Sequence, residues 1–389
     1  MKIKKLWTII FLPFLLAGCF NSGTVPVSPG GKYSDWTVMV FLNGDNDLYK
    51  DAWQDFDSLE VVGSTDQVKV IVQFDPFWGD AARYIVEKDT LSNHISSPVL
   101  ESLGEANMGD GVELADFVRF CAENYPARRY ALIVWDHGTG FKSKDISFDE
   151  FPEDSIAIPE LERALSLSTA YLGGKIDFLG MDACLMAMVE VAYQVRNYAR
   201  VLVTSQELEP GEGWDYETIL GNLVTHPTMD ERDLARIVVD SYIDYYLRGS
   251  FTQSAIDLGE VSSLSGALDK LAQDILNDSL TSPQAYLSLG DSAVYFGDAD
   301  YVDLGNLLNL FSQDSQIASP EVKESAFIAQ EALNRCVIYK RASGEMAGSV
   351  YGLSVYFPYF PYNYKYDDLA FSRDTYWDEM IKYLSQWRR

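Results

Sequence analysis

Five short apolar runs punctuate the first half of the chain, at residues 36–42 (WTVMVFL), 68–74 (VKVIVQF), 130–135 (YALIVW), 176–179 (IDFL) and 201–204 (VLVT). Runs this short and this continuous read as strands buried on both faces. Between them, apolar positions recur with helical period at residues 45–60, 111–124, 159–168 and 185–197. Strand–helix alternation predicts an α/β sandwich, with a mostly parallel central sheet covered by helices on both sides. From about Asp230 the pattern changes. Helical stretches dominate at 231–247, 264–276 and 320–339, followed by one β-rich run at 351–357 and an amphipathic helix reaching Trp387. Residues 35–225 therefore read as one α/β region. Residues 226–389 read as a largely helical C-terminal region whose late strand is a candidate to rejoin the sheet.

The N-terminus follows another pattern. Lys2, Lys4 and Lys5 precede an apolar run at residues 6–16, which is the length of an export signal rather than of a membrane span. The run closes on Leu16-Ala17-Gly18-Cys19, which resembles the bacterial lipobox. Residues 1–18 are thus expected to be a removable lipoprotein signal. Cys19 is the expected lipidation site, and residues 19–34, rich in Gly, Ser, Pro and Val, a flexible tether. The expected location is extracytoplasmic, held to a bacterial membrane by the lipid.

A net charge of −28 over 389 residues argues against nucleic acid as a partner. Of four cysteines, Cys121 and Cys336 lie in apolar-patterned helical stretches and read as core residues. Three dispersed histidines offer no metal-ligand spacing.

Two strand ends carry chemistry. The run at 130–135 delivers Asp136-His137-Gly138, and the run at 176–179 leads into Asp182-Ala183-Cys184, with the cysteine expected at the start of a helix. Adjacent parallel strands would set His137 and Cys184 side by side, and ligand sites in such sheets lie beyond the carboxyl ends of the strands. A cysteine peptidase needs this pair: a thiolate nucleophile, and an imidazole to protonate the leaving amine. A helix N-terminus would lower the thiol pKa. Gly138, without a side chain, lets its N–H approach an oxyanion, with the Cys184 N–H as second donor. Asp182 also reads as a cap for the helix behind it.

The strings Leu42-Asn43-Gly44-Asp45-Asn46-Asp47-Leu48, Trp135-Asp136-His137-Gly138, Asp182-Ala183-Cys184-Leu185-Met186-Ala187 and Glu209-Pro210-Gly211-Glu212-Gly213-Trp214, in this order, resemble the clostripain family of cysteine peptidases. The late Gly352-Leu353-Ser354-Val355-Tyr356-Phe357-Pro358 is also similar. The resemblance implies a caspase-like α/β/α fold with His137 and Cys184 as the catalytic dyad, and no cofactor for the chemistry. It implies protein or peptide substrates with a basic P1 residue, Arg or Lys, held in an acidic S1 pocket. By position Asp182 maps to one pocket carboxylate, and Glu212 falls near the second. Self-activation by cleavage in the loop 138–156 would use Lys142 or Lys144. Some relatives need calcium, for which Asp45 and Asp47 are the candidates, although they fit no complete calcium loop. Gln206 stands where many relatives have an acid. The chain is expected to act as a monomer. The competing reading is a catalytically silent binding lipoprotein of the same fold, disfavoured because His137, Gly138 and Cys184 are all kept.

Overall fold

The computed structural model describes residues 33–388 except Ser92 and Leu247. The signal segment, Cys19 and nearly all of the tether lie outside the described residues.

Among the described residues there are thirteen strands and twelve α-helices. The strands are β1 (Ser34–Gly44), β2 (Val68–Pro76), β3 (Ala81–Ile85), β4 (Val99–Gly104), β5 (Ala127–Trp135), β6 (Ile146–Asp149), β7 (Asp154–Ile156), β8 (Ile176–Asp182), β9 (Ala199–Thr204), β10 (Thr252–Asp257), β11 (Tyr301–Asp303), β12 (Val337–Ala342) and β13 (Ser354–Tyr356). The helices are α1 (Tyr49–Val62), α2 (Gly111–Asn124), α3 (Ile158–Leu172), α4 (Val189–Val195), α5 (Tyr216–Thr225), α6 (Glu231–Tyr245), α7 (Val261–Asn277), α8 (Pro283–Ser292), α9 (Leu304–Gln313), α10 (Pro320–Cys336), α11 (Ala370–Asp374) and α12 (Trp377–Ser385).

Nine strands form one sheet in the order β12-β10-β9-β8-β5-β1-β2-β3-β4. The five central strands, β9 to β2, are parallel, and antiparallel strands complete both edges. Side chains of β1 alternate between two cores, as strand geometry requires. Trp36, Val38, Val40 and Leu42 face one core with α1, α5 and α6; Met39 and Phe41 face the other, with α2, α3, α4, α7 and α10.

Three expectations meet a different chain. The strand that joins the main sheet late is β12, in a stretch whose first residues read as helix. The run at 351–357 instead yields β13, which pairs with β11 in a separate small sheet. β10 offered no apolar run because its sequence, TQSAID, is largely polar although nearly all of it is buried. The helix expected from Leu185 begins only at Val189, because the intervening backbone is bonded elsewhere. Leu185 N–H donates to the Glu207 carbonyl at 3.3 Å and Ala187 N–H to the Ser205 carbonyl at 2.8 Å, while Leu185 takes a left-handed φ of 63°.

Candidate active site

The parallel register places Trp135 of β5 opposite Asp182 of β8, and the N–H of Asp136 donates to the Asp182 carbonyl at 3.2 Å. His137 and Cys184 thus leave neighbouring strands at the same end. They line a single cavity of about 200 Å³ with Leu48, Trp135, Asp136, Asp182, Ala183, Leu208, Glu209, Pro210, Gly211 and Gly213.

Gly138 touches the cysteine backbone: a Cβ there would lie 2.5 Å from the Cys184 carbonyl oxygen. The bridge that pairs Gly138 with Ile146 uses the N–H groups of Thr139 and Ser147, and the Gly138 N–H makes no hydrogen bond among the described residues.

Cys184 does not start a helix. It sits in the turn before α4 under a strap, residues 205–215, that follows β9. The Glu209 N–H donates to Sγ at 3.1 Å, and Sγ lies 3.6 Å from the Glu209 carbonyl oxygen. Burial pushes the thiol above its ordinary pKa, with Asp182 and Glu207 adding to the rise and the Glu209 backbone opposing it. No helix dipole offsets this, so thiolate formation depends on an adjacent cation.

His137 directs Nε2 at Asp47 Oδ1, 2.8 Å away. Asp47 is placed by the loop between β1 and α1, which side chains tie down. Asn43 Nδ2 donates to Asp136 Oδ2 at 3.2 Å. Asn46 Nδ2 donates to Asp136 Oδ1 and to the Phe148 carbonyl, each at 2.8 Å. The carbonyl oxygens of the same two amides accept the N–H groups of Asp45 and Leu48. These local bonds compete with helix formation and explain why α1 starts at Tyr49 rather than Asp45.

Asp45 and Asp47, the pair considered for a cation, diverge. Asp45 faces Asp149, while Asp47 faces the histidine. Among the described residues no group of three or more His, Cys, Asp or Glu side chains is arranged to hold a metal ion.

The cavity wall is acidic. Asp182, 4% exposed, accepts from the Trp214 N–H at 3.1 Å and from the Tyr216 hydroxyl at 2.8 Å, so its carboxylate anchors the strap instead of capping a helix. Asp55 of α1, 5% exposed, accepts from the Trp135 indole at 2.6 Å. Gly213, at φ +54°, fits between them; a Cβ there would lie 2.9 Å from Oδ2 of each carboxylate. The third acid is Glu209, half-buried beside Asp182 with its Oε2 turned away from solvent. Its Oε2 has no donor unless the two carboxyls share a proton, and with that proton Glu209 donates to Asp182. Burial first, then Asp182, holds Glu209 well above the carboxylate range; burial pushes Asp182 up to about 6. No Lys or Arg lines this cavity. Glu212 is exposed on the strap outside it, where its charge adds to the effect of burial in raising Asp51.

Asp55 and Glu209 were missed from the sequence. Asp55 lies on the buried face of α1 with Ala52, Phe56 and Leu59, an acid inside an apolar i, i+3, i+4 stripe, and that intrusion was the available signal. Gln206 is buried: it donates to Asp303 at 3.0 Å and accepts from the Gly352 N–H at 3.1 Å. An acid at 206 would meet Asp303 as a like charge, so the amide suits this chain.

Of the two lysines considered for self-cleavage, Lys142 is held by Asp298 and Asp300, each at 2.7 Å. Lys144 has no carboxylate within ion-pair distance among the described residues and rests its ammonium over the Phe148 ring at 3.5 Å.

A histidine and a cysteine at the carboxyl ends of neighbouring parallel strands, beside a buried pocket, are the arrangement of a cysteine peptidase with a caspase-like sheet. Comparison with known proteins agrees. The model described as Clostripain family matches residues 40–387, and the chain belongs to that family of cysteine proteases. Clostripain of Hathewaya histolytica is 24% identical over 452 residues, covering 92% of this chain and 85% of that protein. A secreted C11 cysteine protease from Bacteroides thetaiotaomicron, solved with an irreversible peptide inhibitor, superposes with a TM-score of 0.69 at 21% identity, covering 90% of this chain and 100% of the other. An inactive zymogen C11 protease from Parabacteroides distasonis gives 0.69 at 20% identity, covering 89% and 99%.

Proposed function

We propose that this protein is an endopeptidase that cleaves after Arg or Lys, with His137 and Cys184 as its dyad. One observation carries the specificity: Asp182 and Glu209 line the cavity beside Cys184, buried Asp55 stands behind its wall against Gly213, and no cationic side chain lines it. Buried acids left without a counter-charge are unfavourable unless a cation arrives, and a guanidinium or ammonium on the substrate supplies one.

The chemistry follows from the atoms present. The Cys184 proton passes to His137, and the thiolate attacks the carbonyl carbon of the scissile bond. The oxyanion lies toward the N–H groups of Gly138 and Cys184. His137 returns the proton to the leaving amine as the C–N bond breaks, leaving a thioester. Water, deprotonated by His137, then attacks the thioester carbon; the C–S bond breaks, the acid is released, and His137 returns the proton to Cys184.

The enzyme works outside the cytoplasm, anchored through a lipidated Cys19. No helix among the described residues is long and apolar enough to cross a membrane. Activation proceeds by cleavage in the loop 138–156, in keeping with the zymogen described for the Parabacteroides relative.

The test uses protein beginning after Cys19, beside Cys184→Ala. Both are offered fluorogenic peptides ending in Arg, Lys, Asn or Asp. Turnover of Arg and Lys peptides alone, absent in the variant, is expected. Turnover after Asn or Asp would keep the dyad and overturn the pocket assignment. Silence on every peptide, even after a nick between 142 and 144, would point to the binding-lipoprotein reading.

A further inference from the structure

We infer that Asp47 is a positioning residue for the proposed catalytic histidine, holding its ring and its tautomer. The inference rests on the dyad reading above.

The geometry is specific at each atom. Asp47 Oδ1 sits 2.8 Å from His137 Nε2, and the hydrogen bond to His137 holds the Asp47 carboxyl below its usual range, against a smaller opposing effect of burial. An ionised carboxylate only accepts, so Nε2 carries a hydrogen whether the ring is neutral or charged. In the neutral ring the lone pair is then on Nδ1, the nitrogen left to exchange a proton with sulfur or with the leaving amine. Asp47 thus selects the reactive tautomer and favours the charged ring that a thiolate partner requires.

Asp47 is itself placed by the chain. The carboxylate of Asp136, next to His137 in sequence, points inward and receives Asn43 and Asn46, and Asn46 precedes Asp47. One strand end therefore supplies the imidazole and, through its buried neighbour, fixes the loop that orients it. A surface acid serving only solubility would need none of this. Asp47's side chain is 79% exposed, so replacing it leaves no hole in the core.

The electrostatic surroundings give the contact a task. Around the His137–Cys184 pair stand Asp47, Lys144, Asp182, Glu207 and Glu209, with Asp136 buried behind the histidine. Two of these carboxyls, Asp182 and Glu207, raise the thiol and disfavour a thiolate. Asp47 is bonded to Nε2 of the ring and is not among the groups that raise the thiol.

The test compares the parent with Asp47→Ala and Asp47→Asn. Two profiles are recorded against pH: kcat and KM on an Arg peptide, and the rate of Cys184 alkylation by iodoacetamide, which needs no substrate recognition. Asp47→Ala is expected to lower kcat by about tenfold or more with KM within about twofold, less than the ~10⁴-fold seen for a buried triad acid, because this one is screened by water. The rising limb of the alkylation profile, which reports thiolate formation, is expected to move to higher pH, because the thiolate loses support from a charged partner. Asp47→Asn, which keeps an acceptor and loses the charge, is expected to fall between. Profiles and kcat superimposing on the parent in both variants would overturn the inference, as would a loss confined to KM. If no peptide is cleaved, the alkylation profile still decides this point, and failure of the substrate assignment remains separate from failure of the positioning role.

Discussion

The backbone N–H of Glu209 lies 3.1 Å from the sulfur of Cys184, so the strap that walls the pocket also rests on the nucleophile. Its side chain and main chain do different things, and they separate experimentally. Glu209→Gln keeps the N–H and removes one acid from the pocket. Turnover of Arg peptides is expected to fall about tenfold, mainly through KM, while the rate of Cys184 alkylation stays at the parent value. Equal loss in both assays would mean that the variant had moved the strap itself.

Asp182 titrates near 6 because it is buried. A cationic side chain needs it ionised, so kcat/KM for Arg peptides is expected to rise with pH through about 6. Asp182→Asn should abolish that limb. It should also cost about 30- to 5,000-fold on Arg peptides, the range for losing one partner of a desolvated charge pair. A pH limb that survives in the variant would assign it to another group.

Asp75 is pushed up to about 8 and Asp149 to about 7, both chiefly by burial. The unfolded chain loses these protons near 4. Between those values the folded state binds more protons, so the stabilisation is complete below about 4 and is lost as pH rises through 7 to 8. The Tm is expected to fall between pH 6 and pH 9. In Asp75→Asn the fall should be shallower, and calorimetry across that window checks it.

A methyl group at 138 would sit 2.5 Å from the Cys184 carbonyl oxygen. Gly138→Ala must displace the turn that carries both candidate oxyanion donors. The expected loss is about 10²–10³-fold in kcat with KM nearly unchanged, the usual consequence of removing one such donor. A fully active variant would place the oxyanion elsewhere.

Lys142 is committed to Asp298 and Asp300, whereas Lys144 is not. Self-cleavage is therefore expected after Lys144. Lys144→Ala should stay intact on prolonged incubation. Lys142→Ala should still be cut, and faster, because its loop loses an anchor. Mass spectrometry of the fragments reads the site directly.

How much of this could be read from the chain depended on burial. β1, β5 and β8 are covered on both faces, so their apolar runs are nearly continuous, and the residues after them, His137 and Cys184, were legible as site residues. The edge was not. β12 (VIYKRA) is only half-buried and carries Lys340 and Arg341, as edge strands commonly do, so its sequence resembles the end of α10. The turn at Leu185 was hidden because its backbone partners, Ser205 and Glu207, lie twenty residues away along the chain. Glu209 was hidden by composition: in a chain with 58 acids, one more on a loop does not stand out, whereas Asp55 interrupts an apolar helical stripe.

The position of β5 has one more consequence. It lies between β1 and β8, hydrogen-bonded to both, and the loop expected to be cut follows it directly. A nick there divides the polypeptide into a fragment ending near β5 and a fragment beginning near β6, yet every contact across the β5–β8 seam survives. Covalent chain and folded particle then cease to be the same object. The two fragments should travel as one species on a sizing column and part only in denaturant. Neither contains a closed sheet to return to alone, so an enzyme matured in this way would be assembled once, as a single chain.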